Sequence, residues 1–114
     1  MKIEVYLTTD FKKNIKRLKK RYRSLPSDIE NLQIDLLENP YMGKDLGKGV
    51  HKIRLAIKSK GKGKRGGARI ITHNTILTHI STHRIVLLTM WDKSDKESLS
   101  DKEIIALLRK NDLI

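Results

Sequence analysis

The spacing of apolar residues predicts a strand followed by two helices at the start of the chain. Residues 2–7 alternate apolar and polar side chains, which is typical of a strand with one buried face. Over residues 10–23 the apolar side chains recur every three or four positions, which indicates an amphipathic helix with Thr9 as its N-cap. Ser24 is the predicted N-cap of a second helix, which the pair Asn39-Pro40 ends.

Three more strands are predicted after a glycine-punctuated loop at residues 40–49. One alternating strand begins at Val50, and residues 68–72 begin the next. Residues 84–91 form the most apolar run, short enough for a buried central strand. Residues 73–83 either extend the last two strands into a long hairpin or form an irregular excursion between them.

A capping box predicts the last helix. Ser100 and Glu103 have the spacing in which the two side chains satisfy each other's backbone N–H groups. The helix that follows runs to about Lys110. The order strand, helix, helix, three strands, helix predicts one α+β domain over residues 1–114, with an antiparallel sheet.

The excess of positive charge indicates which kinds of molecule the protein binds. The chain has 25 Lys and Arg against 13 Asp and Glu, a net charge of +12. Nucleic acid, an anionic membrane surface and an acidic protein are the partners that such a charge favours. No apolar run approaches the length of a membrane span and residues 1–7 lack a signal peptide's apolar region, so we expect a cytoplasmic protein. The absence of cysteine excludes disulfides, thiolate metal sites and cysteine nucleophiles.

Positive charge is concentrated in one part of the chain. Between Asp45 and Asp92 there is no acidic residue, although this segment holds ten Lys or Arg. Lys52 and Arg54 are two positions apart on their strand and therefore point to the same face, and Arg69 lies near the start of the next strand. If Arg69 faces the same side, three cations converge on one face of the sheet, and either acids from elsewhere in the chain neutralise them or the site receives an anion.

The glycine-rich loop between these two strands matches a nucleotide-binding pattern only superficially. Gly61, Gly63 and Gly66 fit G-x-G-x-x-G, but that fingerprint opens a helix and is followed about 20 residues later by an acid. Here the loop leads into a strand. It is either a mobile hairpin loop with solvated lysines or a cover for a bound phosphate chain, formed by Lys60, Lys62, Lys64 and Arg65.

Four other residues leave their roles open. His79 and His83 lie four apart, and His73 precedes them, but no nearby Asp, Glu or Cys completes a zinc site. These histidines are an acid–base pair for RNA cleavage or solvent-facing hairpin residues. Trp91, at the end of the apolar strand, is either core or a platform on which an unpaired base stacks.

Three stretches together resemble the RelE and ParE superfamily of toxins, most closely the HigB-type branch. They are Lys52-Ile53-Arg54, the run from Gly63 to Ile70, and the run from Leu87 to Lys93 with Leu99-Ser100 after it. The resemblance implies a RelE-like fold of the microbial ribonuclease type, with an N-terminal strand, a helical hairpin, a three-stranded antiparallel continuation of the sheet and a C-terminal helix. It also implies a ribosome-dependent endoribonuclease that cuts messenger RNA in the A site without a metal ion or other cofactor.

The resemblance further implies roles for individual residues in attack of a ribose 2′ hydroxyl on the adjacent phosphate. Lys52 is the expected base, Arg54 and Arg69 stabilise the phosphate, and Lys93 or Lys64 is the acid. The expected RNA contacts are Lys58, Lys60, Lys62, Arg65 and Trp91. Trp91 and Leu99 stand where relatives carry tyrosine, and the histidine-rich segment stands where relatives have a short turn.

The implied partners are the ribosome, messenger RNA and a cognate acidic antitoxin with a DNA-binding domain. No membrane partner is expected. Two other functions stay open at this point: a ParE-like inhibitor of DNA gyrase without ribonuclease activity, and a non-catalytic basic protein that binds RNA or the ribosome.

Overall fold

The computed structural model of the protein describes all 114 residues and confirms the predicted α+β class. In chain order the elements are β1 (Lys2–Leu7), α1 (Thr9–Leu18), α2 (Leu25–Glu38), β2 (Lys44–Gly47), β3 (Val50–Leu55), β4 (Ala68–Leu77), β5 (Thr82–Asp92) and α3 (Asp101–Lys110). Short 3₁₀ turns lie at Lys58–Lys60 and Thr78–Ile80. None of the helices has the length and apolar character that crossing a bilayer requires.

The five strands form one sheet in the order β1-β5-β4-β3-β2. The pairs from β2 to β5 are antiparallel, as predicted, but β1 runs parallel to β5, with Lys2 beside Thr82 and Leu7 beside Leu87. The sheet is therefore mixed. The alternation in β1 predicts which of its side chains are buried, but it contains no information about the direction of its neighbour.

The segment predicted to be a loop contains the edge strand β2. Its four residues pair with β3 through a register shift between Asp45 and Gly47, and all four are exposed. Because neither face of β2 is buried, it lacks the alternation by which a strand is recognised in a sequence.

The long hairpin is the correct alternative for residues 73–83. β4 and β5 stay paired from Ala68 and Asp92 to Leu77 and Thr82, with one irregularity between Ile71 and Thr72. The 3₁₀ turn at the tip ends at Ser81, which has a left-handed φ of 49°. The histidine-rich segment is thus part of the sheet.

Helix α1 is shorter than predicted. Thr8, rather than Thr9, is its N-cap and accepts a hydrogen bond from the Phe11 N–H. The helix ends at Leu18 because the residues that follow turn toward the end of β5. Asn14 accepts a hydrogen bond from the Met90 N–H, so α1 covers the edge of β5 beyond the point where β1 ends.

The caps of the other two helices differ in kind. Ser24 stands at the N-cap position of α2 but caps no backbone N–H; its hydroxyl bonds Asp28 and Ser59 instead. The predicted capping box of α3 is confirmed, with both hydrogen bonds between Ser100 and Glu103 present.

Each face of the sheet has its own hydrophobic core. On one face, here called the α1/α2 face, strand residues pack with the two N-terminal helices; this cluster includes Phe11, Leu32, Leu36, Ile53, Leu55, Ile70 and Met90. On the opposite face, called the α3 face, the cluster comprises Val50, Ile71, Val86, Leu88, Trp91, Ile104 and Leu108. α3 covers only part of its face, which leaves the ends of β3 and β4 free of helices.

Candidate nucleic-acid interface

The part of the α3 face that no helix covers carries the three cations predicted to lie on one face of the sheet, which are Lys52, Arg54 and Arg69. Lys52 and Arg54 alternate with the buried Ile53 and Leu55, so they point to the α3 face. Arg54 pairs directly with Arg69 of β4 across the two strands. Like charges facing each other across strands are unfavourable for stability, so this arrangement is suited to receiving an anion.

A cleft of about 350 Å³ lies beside these residues. Four cationic side chains line it, together with Met42, Gly43 and Ile53; they are Lys44, Lys52, Arg54 and Lys64. Lys44 belongs to β2 and pairs with Lys52, so it joins the site through a strand that the sequence pattern does not reveal. The cleft therefore combines cations from β2, β3 and the glycine-rich loop.

Arg69 is buried, with 5% of its surface exposed. Its guanidinium donates hydrogen bonds to three backbone carbonyls, those of Lys64 at 2.9 Å, Arg65 at 2.8 Å and Ala68 at 3.1 Å. Burial, followed by the charge of Arg54, lowers the pKa of Arg69. Arg69 thus fixes the end of the glycine-rich loop and leaves fewer of its five N–H donors for a phosphate than the sequence analysis expects.

The glycine-rich loop displays most of its cations to solvent. Lys58, Lys62, Lys64 and Arg65 are all exposed. Gly61 and Gly63 adopt positive φ angles of 71° and 61°, which glycine reaches without strain. The loop leads into β4 rather than a helix, in agreement with the rejection of the dinucleotide fingerprint.

Lys60 does not face solvent with the other cations of the loop. Its ammonium lies 2.7 Å from a carboxylate oxygen of Asp92, and 13% of its side chain is exposed. The ammonium for which an RNA contact is predicted is thus already paired within the protein. The pairing joins residues 32 positions apart and cannot be inferred from local sequence.

Asp92 holds together three parts of the chain. Its side chain is fully buried and accepts hydrogen bonds from Arg21, Tyr22, Lys60 and Ser94. Burial alone would raise the pKa of Asp92, but the hydrogen bonds from Lys60, Ser94 and Tyr22 outweigh it and hold the pKa well below its usual range. This carboxylate ties the α1–α2 connection and the start of the glycine-rich loop to the end of β5.

Trp91 lies in the core of the α3 face. It is 7% exposed, and its indole N–H donates to the carbonyl of Lys96 at 3.0 Å. Its ring belongs to the cluster that contains Ile104 and Leu108. Little of the ring surface is left for the predicted stacking of a base.

Lys93 is paired with an acid that the sequence analysis does not single out. Its ammonium lies 2.6 Å from a carboxylate oxygen of Glu97, four positions later. The Lys93 hydrogen bond and charge, and more weakly the charges of Arg69 and Lys52, lower the pKa of Glu97. The one available sequence signal is this spacing of an acid four residues after a lysine, which is too common to be diagnostic.

The three histidines of the hairpin do not share a site. His73 bonds Thr75, whereas His83 bonds Asn74 and packs near the ring of Tyr41. His79 lies in the turn at the hairpin tip. Burial lowers the pKa of both His73 and His83. No group of three or more His, Cys, Asp or Glu side chains is arranged to hold a metal ion.

Comparison with known protein families gives one match. The family model described as the RelE toxin of the RelE / RelB toxin-antitoxin system matches residues 3–111. No curated protein matches the chain. The matched range includes every strand and cation of the cleft described above.

Proposed function

The chain belongs to the RelE family of toxins of toxin-antitoxin systems, and on this premise we propose that it is a ribosome-dependent endoribonuclease that cuts messenger RNA in the A site. A toxin of such a system has an antitoxin as its partner. The alternatives of a gyrase inhibitor and of a non-catalytic RNA-binding protein are outcomes of the experiment described below.

The observation that carries this proposal is the cationic cleft. Lys52 and Arg54 from β3 and Lys64 from the loop line one concave surface. A messenger strand presents one negative charge for each phosphate, and neutralising phosphates by Lys and Arg supplies affinity that does not depend on base sequence. In the proposed reaction the same cations stabilise the additional negative charge that develops on the phosphoryl oxygens when phosphorus is attacked.

The proposed reaction needs no metal ion. The ribose 2′ hydroxyl gives its proton to a general base while its oxygen forms a bond to the adjacent phosphorus. The bond to the 5′ oxygen breaks, and the products are a 2′,3′-cyclic phosphate and a 5′ hydroxyl. Arg54 and Lys52 bind the phosphate oxygens, and Lys93 or Lys64 protonates the leaving 5′ oxygen. Arg69 acts mainly by holding the loop that bears Lys64, as its two hydrogen bonds to the loop carbonyls of Lys64 and Arg65 support.

The charge of the cleft also supports a mode of regulation. We propose that an acidic segment of the antitoxin lies over Lys52, Arg54 and Lys64, where it excludes RNA. Because the antitoxin binds only the folded toxin, it also stabilises the fold by mass action.

Arg54→Ala is the decisive variant, because the Arg54 side chain is exposed, lines the cleft and forms no ion pair within the protein. The matched control is Lys12→Ala, which removes an exposed cation of α1. We expect wild-type protein and the control to cut messenger RNA within codons in a purified translation system, only when ribosomes are present. The Arg54→Ala cuts should be at least about 100-fold slower, in line with losses of transition-state stabilisers.

Mapping the 5′ ends of the fragments measures this directly. Blocked translation without any cut by the wild-type protein would instead indicate a non-catalytic ribosome-binding protein. Unaffected translation would overturn the proposal, and a DNA supercoiling assay would then test gyrase inhibition.

A further inference from the structure

Glu97 is a carboxylate beside an otherwise cationic site. It pairs with Lys93 at 2.6 Å, yet 89% of its side chain is exposed. Two other acids lie in this segment: Asp92 is buried and occupied by four partners, and Asp95 is 52% exposed and pairs with Arg21. Glu97 is the most exposed carboxylate of the three.

The fold directs the segment of Glu97 back toward the cleft. After β5 ends, the Lys93 N–H donates to the carbonyl of Gly67 at 3.0 Å, at the start of β4. The carbonyl of Lys96 then accepts the indole N–H of Trp91. Trp91 pairs with Arg69 across the two strands, so the turn that carries Glu97 folds over the α3 face next to Arg69.

The electrostatics agree with this placement. The charges of Arg69 and Lys52 reach Glu97 and, after Lys93, help to keep it ionised by lowering its pKa. In return, the negative charge of Glu97 favours the charged form of the Arg69 guanidinium and partly offsets the lowering of its pKa. At neutral pH the site thus contains an ionised, solvent-exposed carboxylate that pairs with Lys93 and is influenced by the charges of Arg69 and Lys52.

We propose that Glu97 is the general base of the RNA cleavage reaction, an assignment that rests on the proposed function and replaces Lys52 in that role. The 2′ hydroxyl gives its proton to the Glu97 carboxylate while its oxygen forms a bond to phosphorus. The bond from phosphorus to the 5′ oxygen breaks, and that oxygen takes a proton from Lys93 or Lys64. Charge and protons balance, and no further reactant is needed.

Glu97 is better suited to this role than Lys52. A lysine amine is ordinarily protonated at neutral pH and must lose that proton before it can act as a base. Lys52 then serves as a fixed positive charge for the phosphate, and Glu97 is already deprotonated.

The test is single-turnover cleavage of messenger RNA on programmed ribosomes with saturating toxin, comparing Glu97→Gln with wild type. The matched control is Glu38→Gln, which makes the same chemical change at an exposed position at the end of α2. We expect Glu97→Gln to cleave at least about 100-fold more slowly, with ribosome binding and the unfolding midpoint unchanged. Glu97→Asp, which keeps the carboxylate but shortens its reach, should give an intermediate rate.

Ribosome affinity measured beside the rate distinguishes a base from a merely structural charge. At neutral pH, Glu97→Gln should lose cleavage rate at saturating toxin while its affinity for the ribosome stays at the wild-type value, whereas loss of a structural charge would change both. Equal or faster cleavage by Glu97→Gln, with tighter RNA binding, would show that Glu97 only competes with phosphate, and would overturn the base assignment. If the wild-type protein cuts nothing, the proposed function itself fails and the base assignment fails with it.

Discussion

Arg69 is a cation that supports the cleft by holding the backbone of the glycine-rich loop rather than by contacting a ligand. Its planar guanidinium reaches three carbonyls at once, which an ammonium group cannot do with the same geometry. Arg69→Lys should therefore lower the free energy of unfolding by about 2 kcal/mol, the size of a lost charged hydrogen bond.

The same variant should loosen the glycine-rich loop. Trypsin is expected to cut after Lys62 and Lys64 several-fold faster in Arg69→Lys than in wild type. Arg54→Lys is the matched control, since Arg54 holds no loop carbonyl. Equal cutting in both variants would contradict the role of Arg69 in ordering the loop.

Asp92 is a second residue whose removal should be costly. Asp92→Asn leaves Arg21 and Lys60 without the buried carboxylate that pairs with both, and loss of one partner of a buried ion pair typically costs roughly 3–5 kcal/mol. Urea denaturation at pH 7 measures the difference. A loss below about 1 kcal/mol would mean that the network is not a major support of the fold.

The effect of Asp92 on stability should depend on pH in one direction only. Its pKa is depressed in the folded protein, whereas the unfolded chain has a pKa of about 4. The unfolded state therefore takes up a proton first, and the stabilisation, complete above about pH 5, declines as the pH falls toward the folded pKa. The difference in stability between wild type and Asp92→Asn should narrow between about pH 5 and pH 2.

At the scale of elements, the turn into β4 depends on a close approach of two backbones. A Cβ on Gly67 would overlap the carbonyl oxygen of Leu55, whereas one on Gly63 would meet nothing within 4 Å. Gly67→Ala should destabilise the protein by about 3 kcal/mol, the upper range for overpacking. It should also slow RNA cleavage, because the Gly67 carbonyl positions Lys93.

Gly63→Ala is the control for that substitution. It places an alanine at a left-handed φ of 61°, which costs about 1 kcal/mol, and should leave cleavage near the wild-type rate. Similar thermal unfolding midpoints for the two variants would contradict the importance of the close approach at Gly67.

Sequence patterns predict the elements that have one buried face. The alternation in β1 and β3, the apolar β5 and the capping box of α3 are all found where they are predicted. The edge strand β2 is missed because it buries neither face, and the end of α1 is misplaced because Arg21 and Tyr22 bond a carboxylate 70 or more positions away.

The same distinction applies to the site. The alternation of side chains along a strand is a local property, so the sequence alone predicts that Lys52 and Arg54 lie on the same face of the sheet. Whether Lys60 is free, whether Trp91 is exposed and whether Glu97 reaches the cleft depend on partners brought together only by the tertiary fold. These are the points at which reasoning from the sequence fails or has no signal.

At the scale of the whole molecule, the cations behind the net charge of +12 divide into those that pair within the fold and those that remain exposed. Lys60 and Lys62 are two positions apart, but Lys60 pairs with Asp92 and Lys62 is exposed. Lys60→Met should lower stability by about 2 kcal/mol through its lost charged hydrogen bonds. Lys62→Met should leave stability unchanged.

Lys62→Met should instead change the salt dependence of binding. The slope of log affinity for single-stranded RNA against log salt should become shallower by about 0.7, the contribution of one neutralised phosphate. Titrations at several salt concentrations measure this slope. An unchanged slope would mean that Lys62 contacts no phosphate.

The pairing of β1 with β5 fixes the order in which parts of the sheet can form during synthesis. The first strand finds its partner 80 residues later, with Lys2 beside Thr82, and contacts between such distant positions form late and make folding slow. A growing polypeptide emerging during synthesis cannot complete this sheet until β5 has been made. Glu97 and the cations of the cleft are brought together only when β5 is in place, so the proposed site is incomplete until β5 has been synthesised.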